Sequence, residues 1–440
     1  MDKPNLSTAT RLFDLLVSRQ DALVCLFNQG IVSVAGFATS VLIGRWVGKP
    51  ELGLYVIGLS LVLFARGFQQ QLVSTPYTIY HHRRSDSLMP AYRGSCMIQQ
   101  FGFVAITLVY LIIQIVAATA GWVSADVIPP EVIPALTALL IFIPAILLRE
   151  IVRGYCFVHS KNTSVLAIDV AISILQIATL VAFGFCGILS GATAWVAIGI
   201  SCLLTIGFWY FKSGPPLQFQ KERISEDLKL NWTFGKWAVS GQFVGSLPTY
   251  LLPWLLLLAA GAEGAGMFGA GLTLVGVANI FNTGMLNYLT PKAAKVYVEE
   301  GSAGLRQLML QMYLLFLVAI GCFIVLLATF GDWIAVRIFT NDYAGLQLIL
   351  TLLAVAKLFE GFSHTASGGL FAMERIKENF WIDVVLMFVT ITAMLLLIRP
   401  WGVLGAAWTM LIGSATSAIL RTGLLVNFLG QKSPTGGTDV

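Results

Sequence analysis

Twelve stretches of this chain run for about twenty residues with almost no charge in them, near 22–44, 52–73, 95–118, 132–148, 165–184, 190–211, 237–259, 265–289, 308–330, 345–370, 379–398 and 403–428. A run of that length and polarity spans a bilayer as an α-helix, because in lipid every backbone N–H and C=O must be satisfied within its own segment. A transmembrane barrel would instead show short segments of alternating polarity. Composition agrees: 57% of the residues are hydrophobic, 11% are charged and the mean hydropathy is +0.82, whereas a soluble domain carries about 25% charged residues. The expected fold is all-α and integral to the membrane, with about twelve transmembrane helices.

The formal charge of +5 does not point to nucleic acid, because its location accounts for it. Of the Lys and Arg side chains at or beside the connections, 21 fall on the side that holds both termini and 4 on the other. Positively charged loops stay in the cytoplasm, so both termini are expected there. The most basic connection, 212–236, carries Lys212, Lys221, Arg223, Lys229 and Lys236 together with Gly214, Pro215 and Pro216. It reads as a cytoplasmic linker between an N-terminal lobe, 1–211, and a C-terminal lobe, 237–430, with 431–440 expected as a disordered cytoplasmic tail. The six cysteines are scattered through apolar runs with no paired or zinc-like spacing, and no cofactor or metal is expected. The charged N-terminal stretch precedes a long apolar run without a small-residue cleavage pattern, so no signal peptide is expected to be removed.

The two lobes are copies. GKPELGLYVIGLSLV at 48–62 recurs as GAEGAGMFGAGLTLV at 261–275, with Gly48/Gly261, Gly53/Gly266 and Gly58/Gly271 in step. At nearly the same offset, Ile168-Asp169-Val170 recurs as Ile382-Asp383-Val384, and Gly191-Ala192 as Gly405-Ala406. A duplication of six spans, an even number, gives two bundles of like orientation related by an axis along the membrane normal. Two such bundles leave a cleft between them, and rocking one against the other opens that cleft to each side in turn. The repeated glycines suit a tight turn and close helix approach.

The turn VGKPELGLYVIGLSLV and the run FAMERIKENFWIDVVLMFVTITAMLLLIRPWGVLGAAWTMLIG resemble the polysaccharide transporter (Wzx-type flippase) branch of the multidrug/oligosaccharidyl-lipid/polysaccharide (MOP) exporter superfamily. Pro400, Gly402, Gly405, Ala406 and Ala407 match a turn of that family. The resemblance implies two six-helix lobes around a central cavity, and transport of a lipid-linked oligosaccharide on a polyprenyl diphosphate between the leaflets of the bacterial inner membrane. It also implies membrane lipids and a polysaccharide polymerase as partners, and proton or sodium as coupling ion. Related MATE transporters use acidic residues in the first or seventh helix. Here the first span has only Asp21 at its entrance and the seventh has none, which counts against a MATE mechanism; a MATE-like cation-coupled exporter of small molecules is kept as the alternative reading.

Ionisable side chains inside spans are site candidates by default, since each costs on the order of 3 kcal/mol at the bilayer centre. Arg66, deep in the second span with Gln69 and Gln70 one turn on, either grips a diphosphate with its planar fork or snorkels to the headgroups. In the tenth span Lys357, Glu360 and His364 share one helical stripe. They form either a neutralising pair or a phosphate contact at Lys357 with Glu360 and His364 titrating as ion-coupling groups. Asp169 and Asp383 hold equivalent places near the starts of the fifth and eleventh spans, where either the helix dipole or a gating role explains them. Arg149, Glu150 and Arg153 read as interface anchors. By the resemblance, Asn28, Gln242, Asn279 and Asn282 lie in cavity-lining helices and contact sugar hydroxyls, while helix-to-helix hydrogen bonds explain them equally. The connections on the far side are short and hold no nucleophile, metal cluster or phosphate-binding loop, so no enzyme activity is expected.

Overall fold

A computed structural model describes residues 8–430 apart from 82, 125 and 126; the tail expected at 431–440 lies outside the described residues. All the regular structure within them is helical. Among the described residues ten helices are long and apolar enough to cross a membrane. Three of these are broken where a glycine leaves helical geometry, at Gly261, Gly301 and Gly402. Cut at those glycines and rejoined across the one-residue break at Gly276, they become the twelve that the apolar runs require.

In chain order the helices are α1 (Thr8–Trp46), α2 (Lys49–Gln69), α3 (Met89–Thr119), α4 (Ile133–Val158), α5 (Asn162–Phe185) and α6 (Gly191–Ser213). The second set is α7 (221–260), α8 (262–300), α9 (302–338), α10 (Gln347–Ala372), α11 (376–401) and α12 (403–430). Beyond Gln69, α2 continues through a π-helical turn, Gln70–Ser74, and a final helical piece, Thr75–His81. Only 214–220 of the stretch read as a linker lies outside helix; from Lys221 the chain is already in α7.

Within each half, consecutive and near-consecutive helices pack together: α4 on α6 and α1 on α5 in the first, α9 on α10 and α10 against the α11–α12 pair in the second. The halves meet mainly where α2 runs alongside α7 and the start of α8. Trp254 donates to Ser60 Oγ at 3.0 Å, and Phe64 packs edge-on against Tyr250 and Phe243 along that seam.

The duplicated stretch explains itself in this arrangement. Gly48 and Gly261 both sit in the left-handed region, with φ of 104° and 69°, where a side chain would be strained. Each turns the chain from the first helix of its half into the second. One and a half turns on, the equivalent glycines Gly53 and Gly266 face each other across the seam. A Cβ on Gly53 would lie 2.9 Å from the Gly266 nitrogen and closer still to the Ala262 carbonyl oxygen. A Cβ on Gly266 would meet Gly53 and the Lys49 carbonyl in the same way. The two copies thus use one motif to touch each other. The same end is fastened by the Lys49–Glu263 ion pair at 2.9 Å and by Tyr343, whose hydroxyl donates to the Gly44 carbonyl at 3.3 Å. Burial pushes that phenol well above its usual ionisation range.

Candidate functional site

The first half gathers charged side chains of its helices into one buried cluster. Arg66 of α2 reaches α4, where its Nη2 lies 3.0 Å from Glu150 Oε2; Arg153, one turn along α4, approaches the same oxygen at 3.2 Å. Arg149 and Arg153 also extend to α5, where Asp169 is completely buried. Arg149 donates to Asp169 Oδ1 through Nη2 at 2.7 Å and Nε at 3.2 Å. The second oxygen, Oδ2, pairs with Arg153 at 3.0 Å and accepts from Asn28 of α1 at 2.8 Å. Four helices are tied together by three guanidiniums and two carboxylates, an excess of one positive charge.

This arrangement changes the reading of several residues. Arg149, Glu150 and Arg153, read as interface anchors, form the centre of the cluster, because the α4 face that carries them packs against α2 and α5. Asp169 does more than complement a helix dipole, since both its oxygens are spent on side chains of other helices. Asn28 is 3% exposed and its amide is engaged with Asp169. Arg66 turns to Glu150, beside which its side chain stays 35% exposed.

That exposure opens onto a polar cavity of about 670 Å³, lined by Arg66, Gln70, Thr75, Thr78, Glu150, Arg153 and Ser160 among others. The π-helical turn at Gln70–Ser74 forms part of its wall. Such a turn inserts one extra residue per helical repeat and re-aims the side chains that follow. The first half also carries an apolar groove of about 1280 Å³ between α1 and α5, from Val24 to Ala38 and from Leu166 to Ala178.

The second half keeps the scaffold and rearranges the charge. Arg66 and Gln69 stand 213 residues before Asn279 and Asn282, the offset of the repeated glycines. Gln69 donates to the Leu147 carbonyl of α4 at 2.7 Å, and Asn282 to the Lys357 carbonyl of α10 at 3.4 Å. The same brace therefore recurs in each half, while the cation on α2 has only a neutral, exposed asparagine as its counterpart on α8. Lys357 instead projects from α10 and pairs with Glu360 at 2.6 Å; His364 lies 3.6 Å from the other Glu360 oxygen. All three expected groups are thus joined through one carboxylate. Asp383 pairs with Arg421 of α12 at 2.5 Å. Arg421 also donates to Asn379, Ser363 and Ser417. Gln242, half-buried on α7, lies against Gly67 of α2 and donates to Ser246.

Sequence reasoning missed Arg421. Its position inside the last apolar run was the available signal, since an arginine there needs a partner. A further buried group was also missed. Asp227, near the start of α7, pairs with Arg84 at 2.6 Å and accepts from Ser95 of α3 at 2.7 Å. One turn on, Asn231 accepts from Tyr92 and donates to Gln99. Among the described residues no group of three or more His, Cys, Asp or Glu side chains is placed to hold a metal ion.

The architecture is that of the MOP-superfamily transporters, and the chain is a multi-pass membrane protein of that fold. It is similar to an inward-facing structure of a multidrug resistance MATE family transporter, with a TM-score of 0.75 at 14% identity, covering 92% of this chain and 96% of that one. The lipid II flippase MurJ, in an inward closed conformation, gives a TM-score of 0.70 at 15% identity over 92% of this chain and 87% of that one. A MOP-superfamily transporter from Pyrococcus furiosus gives 0.65 at 14% identity, over 92% and 94%. In sequence, the chain is 22% identical over 279 residues to the capsular polysaccharide biosynthesis protein CapF of Staphylococcus aureus, covering 62% of this chain and 69% of that protein. No family model matches the chain.

Proposed function

We propose that this chain carries a lipid-linked oligosaccharide, a polysaccharide repeat unit on a polyprenyl diphosphate, from the inner to the outer leaflet of a bacterial cytoplasmic membrane by alternating access. The observation that carries this reading is the cationic cluster of the first half. A half-buried group of arginines with one charge in excess, open to a polar cavity, suits a multiply charged phosphate head. The apolar α1–α5 groove suits the tail of the same molecule, and the similarity to CapF favours a polysaccharide precursor as cargo.

In this reading Arg66 and Lys357 hold the head, and Gln242 and Asn279 meet sugar hydroxyls. Asn28 and Asn282 act behind them, on Asp169 and on the α10 backbone. Glu360 and His364 exchange the coupling proton, or a sodium ion takes their place, and the Asp169 and Asp383 struts gate the two lobes. Those lobes are 1–211 and 237–430, both termini are cytoplasmic, and a polysaccharide polymerase takes the product.

The test is a deletion strain. It should lose its surface polysaccharide and accumulate the lipid-linked unit; Arg66→Gln and Lys357→Gln chains that still insert should fail to restore export. Normal export by both variants would remove these residues from the site. The second reading, a cation-coupled exporter of small molecules, is favoured by the Lys357–Glu360–His364 relay. Drug sensitivity of the deletion strain with intact polysaccharide would establish it instead.

A further inference from the structure

The two carboxylates of the arginine cluster are held differently. Asp169 is fully buried, and both its oxygens are engaged by partners from α1 and α4. Glu150 has one oxygen, Oε2, shared by Arg66 and Arg153 at 3.0 and 3.2 Å. Its other oxygen, Oε1, is buried without a hydrogen-bond partner. Its side chain is 17% exposed and borders the polar cavity that Arg66 and Arg153 also line. Asp169 is a strut, whereas Glu150 is a carboxylate resting on one oxygen in front of two guanidiniums.

Electrostatics gives that placement a purpose. Asp169 is shared by Arg149 and, through its second oxygen, Arg153 Nε, so Arg66 has Glu150 as its one ion-pair partner and Arg153 Nη1 turns to the same Glu150 oxygen at the cavity wall. A carrier must return empty, and an unpaired Arg66 beside an Arg153 neutralised only from its Asp169 side makes the empty state costly. A resident carboxylate lowers that cost, and it opposes over-tight binding of the cargo by competing for the same donors.

Resting on the reading of this cavity as the phosphate site, we infer that Glu150 is a built-in counter-anion: it occupies the Arg66–Arg153 site in the empty carrier, yields it to the substrate's phosphate and reclaims it on release. The substrate class is an anionic lipid head that uses the same two guanidiniums, and affinity is set by competition with Glu150.

The experiment measures binding of farnesyl diphosphate, a short polyprenyl diphosphate, to purified full-length chain in detergent, with farnesol as the uncharged control. Removing the competitor in Glu150→Gln should tighten farnesyl diphosphate binding about tenfold, the scale of one partly buried charge pair. Glu150→Asp keeps the charge but draws it back from the guanidiniums, so it should tighten binding about threefold; it carries the test if the glutamine variant does not fold. Farnesol binding should stay unchanged throughout. If wild type binds the diphosphate and neither variant binds it more tightly, Glu150 is a fixed structural partner and the inference falls while the phosphate site stands. Equal tightening for farnesol would overturn it as well. No diphosphate binding by any of the three proteins would overturn both the inference and the phosphate reading of the cavity.

Discussion

Replacing Gly53 with alanine should pry the two halves apart at the end where they now touch. Gly53 lies within α2 with ordinary helical geometry, so alanine costs nothing locally and if anything favours the helix. The cost arises across the seam, where the new methyl would stand 2.9 Å from the Gly266 nitrogen and inside the contact distance of the Ala262 carbonyl. Both obstacles are backbone, so no side chain can rotate away. To restore an ordinary separation, α2 and α8 must part by on the order of 1 Å, and overpacking of this kind costs about 1–3 kcal/mol. That penalty exists only while the helices are in contact. It therefore falls on the closed arrangement alone and shifts the balance toward separation by about 5- to 150-fold. Spin labels at positions 122 and 333, both strongly exposed tryptophans on that end, would report the distance between halves in a background with the exposed Cys186 and Cys322 replaced. The alanine variant should show a population at longer distance that wild type lacks. An unchanged distance distribution in a variant that folds normally would refute the claim that the glycine pair sets the closure.

Two further outcomes follow from the charge clusters. Asp169→Asn leaves two buried arginines without their strut and should cost about 3–5 kcal/mol, read as a lowered thermal midpoint in detergent. Its equivalent Asp383→Asn should cost only about 1 kcal/mol or less, because that carboxylate is 34% exposed and solvent screens it; equal losses would contradict the asymmetry. Asp227→Asn should weaken the attachment of α7 to α3 by about 2 kcal/mol, since the partly exposed Arg84 loses a charge-assisted hydrogen bond. Amide exchange in 214–235 should then speed up about thirtyfold, and exchange at the wild-type rate would count against the attachment.

Hydropathy made the helices legible, because length and polarity alone decide which segments can sit in lipid. The duplicated glycines were legible as a tight turn and a close approach; that they approach each other was not, since a repeat says nothing about which surfaces meet. The same limit explains Arg149, Glu150 and Arg153. Spacing placed them on α4, but only the neighbours α2 and α5 turn three apparent anchors into a cluster. The stripe of Lys357, Glu360 and His364 was readable because all its members lie on one helix. The π-helical turn after Gln69 left no mark in the sequence, where a run of glutamines is compatible with ordinary helix.

The fastening of Asp227 and Asn231 onto α3 means that the second copy is rooted in the first. Whoever severs the backbone within 214–220 would produce two fragments that still recognise each other, because the downstream piece begins with the very segment that plugs into the upstream one. Co-expressed halves of this chain should reassemble, whereas a downstream half trimmed to start beyond Asn231 would have lost its address.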